Sequence, residues 1–221
     1  MAEIVKENIS ISILRVNEEI ANELRQFFNQ KKIFVVNLIS SPGSGKTMLI
    51  ERLLDYFDKK KVFVFVGDIE TEKDAKRIRE KGANSYQIIT GNTCHLEAIM
   101  IKKGLSLIED CTEYLFIENV GNLVCPASYD LGEHLRISMI STPEGDDKIL
   151  KYPKAFLTSD VIVINKIDLL KYLPFDIKKV EEEARKIKNE VKIFKISALL
   201  GEGVKDLADF IKEERERKFK N

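Results

Sequence analysis

The sequence predicts an α/β domain of three layers, a mostly parallel central sheet flanked by helices, preceded by a helical extension. Apolar, β-branched runs alternate with amphipathic helical patterns along most of the chain, an order that gives parallel strands joined by crossover helices. A glycine-rich segment separates the first such run from the helix after it, a strand–loop–helix context suited to binding phosphate. The 221 residues, against about 150 for an average domain, fit one large domain over 31–221 with an extension over 1–30.

Within the extension, Ile20, Leu24, Phe27 and Phe28 fall on one face of a helix over 17–30. Residues 33–39 predict a buried strand, 47–57 a helix, 62–66 a strand and 71–82 a helix. For that last helix, Thr71 stands three before Asp74 as a capping pair and Gly82 marks the stop. Residues 95–108 predict a further helix, followed by strands at 113–118, 135–141, 160–166 and 191–197 and helices at 180–189 and 204–217. The charged C-terminal stretch reads as the solvated end of the last helix.

Composition excludes several classes. No apolar run approaches the roughly 18 residues of a spanning helix, so no membrane association is expected. The first residues carry acids and no small-residue cleavage pattern, so the cytoplasm is the expected compartment. Thirty-six basic residues balance 36 acidic ones, and no basic field is available for nucleic acid. Three cysteines in a chain without an export signal point to metal binding or inert thiols rather than disulfides.

The segment Ser40-Ser41-Pro42-Gly43-Ser44-Gly45-Lys46-Thr47 is a phosphate-binding loop. Gly43 and Gly45 allow the backbone N–H groups around Ser44 to turn inward, and the next helix adds its positive end. Lys46 is placed to reach the β and γ phosphates, and Thr47 to offer its hydroxyl to Mg²⁺. Ser40 occupies the place of the first glycine in the usual pattern.

Asn165-Lys166-Ile167-Asp168 follows a strand, and its carboxylate can accept from both the ring N–H and the amine of guanine, a donor pair adenine lacks. Ser197-Ala198-Leu199, again at a strand end, can supply an N–H to the guanine carbonyl. GTP is therefore the expected nucleotide. Glu118 closes an apolar run and Gly121 follows, the spacing of an acid on the Mg²⁺ side and an N–H for the γ phosphate. Asp68 is a second candidate for the Mg²⁺ shell. Asp74 reads either as the acid that orients the attacking water or as a helix N-terminal acid.

Cys94-His95, at the start of the predicted 95–108 helix, and Cys125, just past the Glu118 strand, form a set that suits Ni²⁺ or Zn²⁺. Three ligands would leave a coordination position open, as a transferable ion requires. The alternative for each cysteine is a small buried hydrophobe. Cys111 reads as a core residue and His134 as a surface one.

Taken together, SSPGSGKT, GDIETEKDA, GNTCHLEA, FIENVGNLVCPASYDLGE, NKIDLL and ISALLGEG resemble the segments of the HypB family of hydrogenase-maturation nickel-insertion GTPases over residues 30–217. The resemblance implies the P-loop class shared with signal-recognition and urease-accessory GTPases (SIMIBI-type) and a homodimer formed on GTP binding. It further implies a metal site of Cys94, His95 and Cys125 at the dimer contact and favours Asp74 as catalytic, joining Lys46 and Glu118, which the phosphate loop and the strand end already place in catalysis. The partners it implies are a nickel-carrying hydrogenase accessory protein and a hydrogenase large-subunit precursor. Turnover is expected to be slow, because the sequence offers no evident arginine finger. Residues 1–30 contain neither Cys nor His, unlike members with an N-terminal metal store. A regulatory GTP-binding protein with a structural zinc is one alternative. A urease-accessory GTPase is another, although its Cys-Pro-His triplet is here Cys125-Pro126-Ala127.

Overall fold

The computed structural model describes residues 2–70 and 72–220, with side chains from residue 12 onward; the capping role expected of Thr71 lies outside the described residues. Seven strands form one sheet: β1 (Phe34–Ser40), β2 (Val62–Asp68), β3 (Asn84–Ile89), β4 (Tyr114–Glu118), β5 (Leu135–Ser141), β6 (Val161–Asn165) and β7 (Lys192–Lys195). Their spatial order is β3-β2-β4-β1-β5-β6-β7, and each neighbouring pair is parallel. The helices are α1 (Ala2–Lys31), α2 (Lys46–Leu53), α3 (Lys73–Glu80), α4 (Ala98–Gly104), α5 (Lys148–Lys151), α6 (Pro153–Leu157), α7 (Ile177–Ile187) and α8 (Val204–Phe219).

The alternation of a pleated strand divides the core. Phe34, Val36 and Leu38 of β1 face α2, α3 and α8, where they meet Leu49, Ile78 and Leu207. Val35 points the other way, against Ala21, Leu24 and Phe28 of α1 and Ile101 of α4. On that same face, under β5 and β6, Ile140, Ile162 and Ile164 pack against α5, α6 and α7. The helix at the N-terminus is thus longer than the 17–30 stretch anticipated, and its second half is built into the core.

Strand β3 was not anticipated. It is an edge strand whose side chains are largely exposed at Asn84 and Tyr86, so its sequence shows no apolar run. The helix expected over 95–108 begins only at Ala98 and tightens into a 3-10 turn over Leu105–Leu107; the expectation that Cys94 and His95 open it is corrected accordingly. The short α5 and α6 follow a capping box in which Ser141 and Glu144 satisfy each other's backbone N–H groups.

Two side chains depart from expectation. Cys111 is exposed rather than core, its thiol donating to the Lys60 carbonyl at 3.3 Å, because it lies in the turn before β4. His134 is half-buried rather than fully superficial: its ring stacks on Phe34, with centroids 5.3 Å apart, and meets Phe219 edge-on. Its charged neighbours mislead, since Glu133 and Arg136 pair at 2.6 Å with only 5% and 11% of their side chains exposed. His134 Nδ1 accepts from the Val35 amide at 3.0 Å, and Nε2 faces Asn29 Oδ1 at 3.2 Å. Burial and the nearby cations push its pKa down to about 4.

The unfolded chain therefore takes a proton at His134 near pH 6.5, well before the folded one does. Unfolding free energy is expected to fall by roughly 2–3 kcal/mol from this group as pH drops from 7 to 4.5. Denaturant unfolding at the two pH values, with His134→Gln flattening the difference, measures it.

Candidate functional site

From β1 the chain runs to β2 on one side of the sheet, whereas from β4 it runs to β5 on the other. The carboxyl ends of these adjacent strands therefore open onto a crevice, where open α/β sheets bind ligands. A cavity of about 450 Å³ lies there, lined among others by Gly45, Lys46, Thr47, Asp68, Asp74 and Glu118.

The loop after β1 has the geometry its glycines require. Gly43 and Gly45 hold φ of 72° and 101°, and a Cβ on Gly45 would come 2.7 Å from Asn165 Nδ2, so a side chain is barred there twice over. Ser40, the residue in place of glycine, is fully buried and anchors the loop from below. Its hydroxyl accepts from Lys46 Nζ at 2.9 Å and from Ser44 Oγ at 2.5 Å. Burial draws the Lys46 ammonium pKa down in spite of Glu118 and Asp74 nearby. Among the described residues the cation is thus held by one hydroxyl at the foot of the cavity, with no carboxylate in direct contact.

Thr47 Oγ1 donates to Glu118 Oε1 at 2.7 Å. The other oxygen, Oε2, is buried without a partner among the described residues, and burial raises the Glu118 pKa to about 7, against the pull of Lys46. A hydroxyl, an unsatisfied buried carboxylate oxygen and the neighbouring Asp68 make a donor set that fits a hard divalent cation such as Mg²⁺. The 118–121 turn approaches the phosphate loop so closely that a Cβ on Gly121 would meet Pro42 at 3.0 Å. Asp74 stands in the first turn of α3 and accepts from Arg77 at 3.1 Å. Arg77 also forks onto Glu51 at 3.0 and 2.8 Å. This arginine on the cavity wall escaped sequence reading because nothing local marks it.

At the far side, the segment after β6 and the loop after β7 are laced to the phosphate loop. Asn165 Nδ2 donates to the Ser44 carbonyl at 2.8 Å and Lys166 Nζ to the Gly43 carbonyl at 2.7 Å. Ser197 Oγ donates to Asp168 Oδ1 at 2.5 Å, and the Ala198 amide to Asn165 Oδ1 at 3.0 Å. Arg52, also missed from sequence, reaches from α2 to the carbonyls of Ala198 and Leu199 at 3.0 and 2.7 Å. These contacts hold the two segments in one arrangement relative to the phosphate loop.

The cysteine and histidine set converges. Donor atoms of Cys94, His95 and Cys125 lie within 4.8 Å of one another, with the two sulfurs 3.2 Å apart and Cys94 Sγ 4.0 Å from His95 Nδ1. Cys94 and His95 sit in the irregular turn before α4, which frees their side chains from helical divergence. The His95 ring lies against Tyr129 at 3.9 Å between centroids, and Nε2 is turned to Glu97, 3.5 Å away, leaving Nδ1 on the cysteine side. Burial lowers the His95 pKa, which favours the neutral imidazole that binds metal. The shared hydrogen bond with Cys94 holds the Cys125 thiol pKa up. Two soft sulfurs and one imidazole, with Cys94 exposed, suit a borderline metal reached from outside.

The family described as CobW/HypB/UreG, nucleotide-binding domain, matches residues 34–195. The chain is 45% identical over 226 residues to the hydrogenase/urease maturation factor HypB of Helicobacter hepaticus, covering 98% of this chain and 92% of that protein. It is 44% identical to the hydrogenase maturation factor HypB of Escherichia coli, with 94% and 72% covered. The crystal structure of HypB from Helicobacter pylori in complex with nickel superposes with a TM-score of 0.88 at 40% identity, covering 92% of this chain and 96% of that one.

The buried Glu118 carboxylate makes a prediction about the nucleotide-free protein. Its raised pKa means that the folded state keeps a proton the unfolded state has lost, so stability declines as pH rises through about 7. Without metal or nucleotide, Glu118→Gln is expected to be more stable than the parent at pH 8 by roughly 2–3 kcal/mol. Thermal unfolding should show that gain fading towards pH 5.

Proposed function

The chain belongs to the CobW/HypB/UreG family of nucleotide-binding proteins, and from that premise we propose that it is a GTP-hydrolysing nickel metallochaperone of hydrogenase maturation. The observation that carries this reading is the convergence of Cys94, His95 and Cys125, the last of them on a loop that leaves the same strand as the cavity turn. Cys125 lies four residues past Gly121, so whatever moves that turn moves a metal ligand.

In this reading the inward amides of Gly43, Ser44 and Gly45 hold the phosphates, and Lys46 leaves Ser40 Oγ for the β and γ oxygens. Asp168 and Ser197 select guanine, with Asn165 and Lys166 tying the base segment to the phosphate loop and the Ala198–Leu199 backbone closing over the base. Thr47, Asp68 and Glu118 would hold Mg²⁺, which neutralises charge developing on the phosphate oxygens. Asp74, steadied by the Arg77–Glu51 pair, orients a water. The water oxygen bonds to the γ phosphorus as the bond to the β–γ bridging oxygen breaks, and GDP and inorganic phosphate leave with the water's protons. The Gly121 amide senses the γ phosphate, and its loss on hydrolysis relaxes the 118–121 turn.

GTP joins two copies of the chain, and nickel passes from a nickel-carrying accessory protein to the hydrogenase large-subunit precursor, in the cytoplasm. Among the described residues no helix is long and apolar enough to cross a membrane. Three ligands with one side open favour a transferred ion over a structural zinc, for which four protein ligands are usual; Zn²⁺ binds the same donors as a competitor.

Two experiments test this. Ni²⁺ titration, followed by thiolate-to-nickel absorption, should give a band that Cys125→Ala abolishes and whose midpoint differs between Mg·GDP and a non-hydrolysable Mg·GTP analogue; a midpoint indifferent to nucleotide refutes delivery. Asp168→Asn should reduce the preference for GTP over ATP by about tenfold or more, read from competition binding.

A further inference from the structure

Cys125 is tied to the 118–121 turn by the chain itself, but Cys94 and His95 are not, although they complete the same metal site. We propose, resting on the reading that nucleotide state sets metal affinity, that Asn119 is the positioning residue through which the turn sets the Cys94–His95 half.

Asn119 follows Glu118, and its side chain is almost wholly buried. Its backbone amide donates to the Leu38 carbonyl at 3.0 Å, which fixes it to β1. Its Oδ1 accepts two amides: Val120 N–H at 3.0 Å and Leu96 N–H at 3.1 Å. The first belongs to the turn, one residue before Gly121. The second belongs to the metal loop, one residue after His95. Nδ2 faces Asn37 Oδ1 at 3.4 Å, and Asn37 in turn donates to Glu133 at 3.1 Å, so the amide group is oriented from behind.

Leu96 has no slack to take up a change. Its side chain is fully buried against Gly67, where any Cβ would come within 2.8 Å, and Gly67 precedes Asp68 on the cavity wall. The amide after His95 is thus pinned between the ends of β2 and β4. A γ phosphate that draws the Val120–Gly121 peptide towards itself changes what Oδ1 shares with Leu96. An apolar residue at 119 would leave the Leu96 amide buried without an acceptor.

The test uses the full chain and Ni²⁺ alone as the metal probe, titrated with Mg·GDP and with a non-hydrolysable Mg·GTP analogue. The parent is expected to show nickel midpoints that differ by about tenfold between the two states. Asn119→Ala should reduce that ratio to below about twofold while still binding nucleotide. Amide exchange at Leu96 in the metal-free parent gives a reading without substitution, and its rate should differ between the nucleotide states. A folded, nucleotide-binding Asn119→Ala that keeps the parental ratio overturns the proposal, as does Leu96 exchange that is the same in both states. A parent whose nickel midpoint ignores nucleotide instead overturns the coupling on which the proposal rests.

Discussion

Glu118 is the residue on which the arrangement turns. It closes β4 in the middle of the sheet, in register with Leu38 on one side and Val66 on the other, and its second carboxylate oxygen is buried there without a partner. An ionised carboxylate in such a place is costly unless a cation or donors meet it. Here one hydroxyl meets it, and Lys46, the ammonium at the foot of the cavity, is held by Ser40 instead. The protein thus keeps a positive and a negative group apart, each incompletely satisfied, across the space a cation and a phosphate chain would fill. The strand that carries the Glu118 charge also carries the 118–121 turn.

What the sequence reveals follows from how local each signal is. The phosphate loop and Asn165–Asp168 are contiguous words, fixed by glycine conformations and strand ends, and they stand in the structure where their spacing put them. The central strands are legible because they are buried on both faces and read as unbroken apolar runs. Strand β3 is not, because it lies at the edge, and the one polar side chain it buries, Gln87, donates through Nε2 to the Val66 carbonyl of the neighbouring strand. Neither Arg52, Arg77 nor Asn119 is marked locally: each acts across the fold, on a loop, a helix or an amide far away in the chain. His134 and its charged neighbours invert the usual rule, since Glu133 and Arg136 hide their charges in each other.

The same distinction explains the metal site. Cysteine and histidine identities are plain in the sequence, but convergence is not, and a helix beginning at His95 would have splayed Cys94 and His95 apart. Ending the irregular segment at Glu97 solves this, and it places a carboxylate beside Nε2 and Tyr129 against the ring. With Nε2 turned towards Glu97, Nδ1 is the ring nitrogen on the cysteine side, 4.0 Å from Cys94 Sγ. Among the described residues the donor atoms that converge are those of Cys94, His95 and Cys125, and Cys94 is exposed.

Placing the two halves of that site on different supports has a physical consequence. A metal held by Cys125 alone would be weak, so affinity depends on the relative position of two loops more than on either loop itself. Cys125 hangs from the chain after Gly121, and Asn122 on the same stretch forms a bridge with Ser40 and reaches the Cys94 carbonyl at 3.4 Å. Cys94 and His95 hang from Leu96, which is held by Asn119 and Gly67. Because a metal–ligand distance tolerates only about ±0.2 Å, a small movement between these supports is enough to convert a tight site into a leaky one. The cavity lined by Lys46, Thr47, Glu118 and Gly121 lies where both supports begin, which is the placement that the proposed coupling between nucleotide and metal requires.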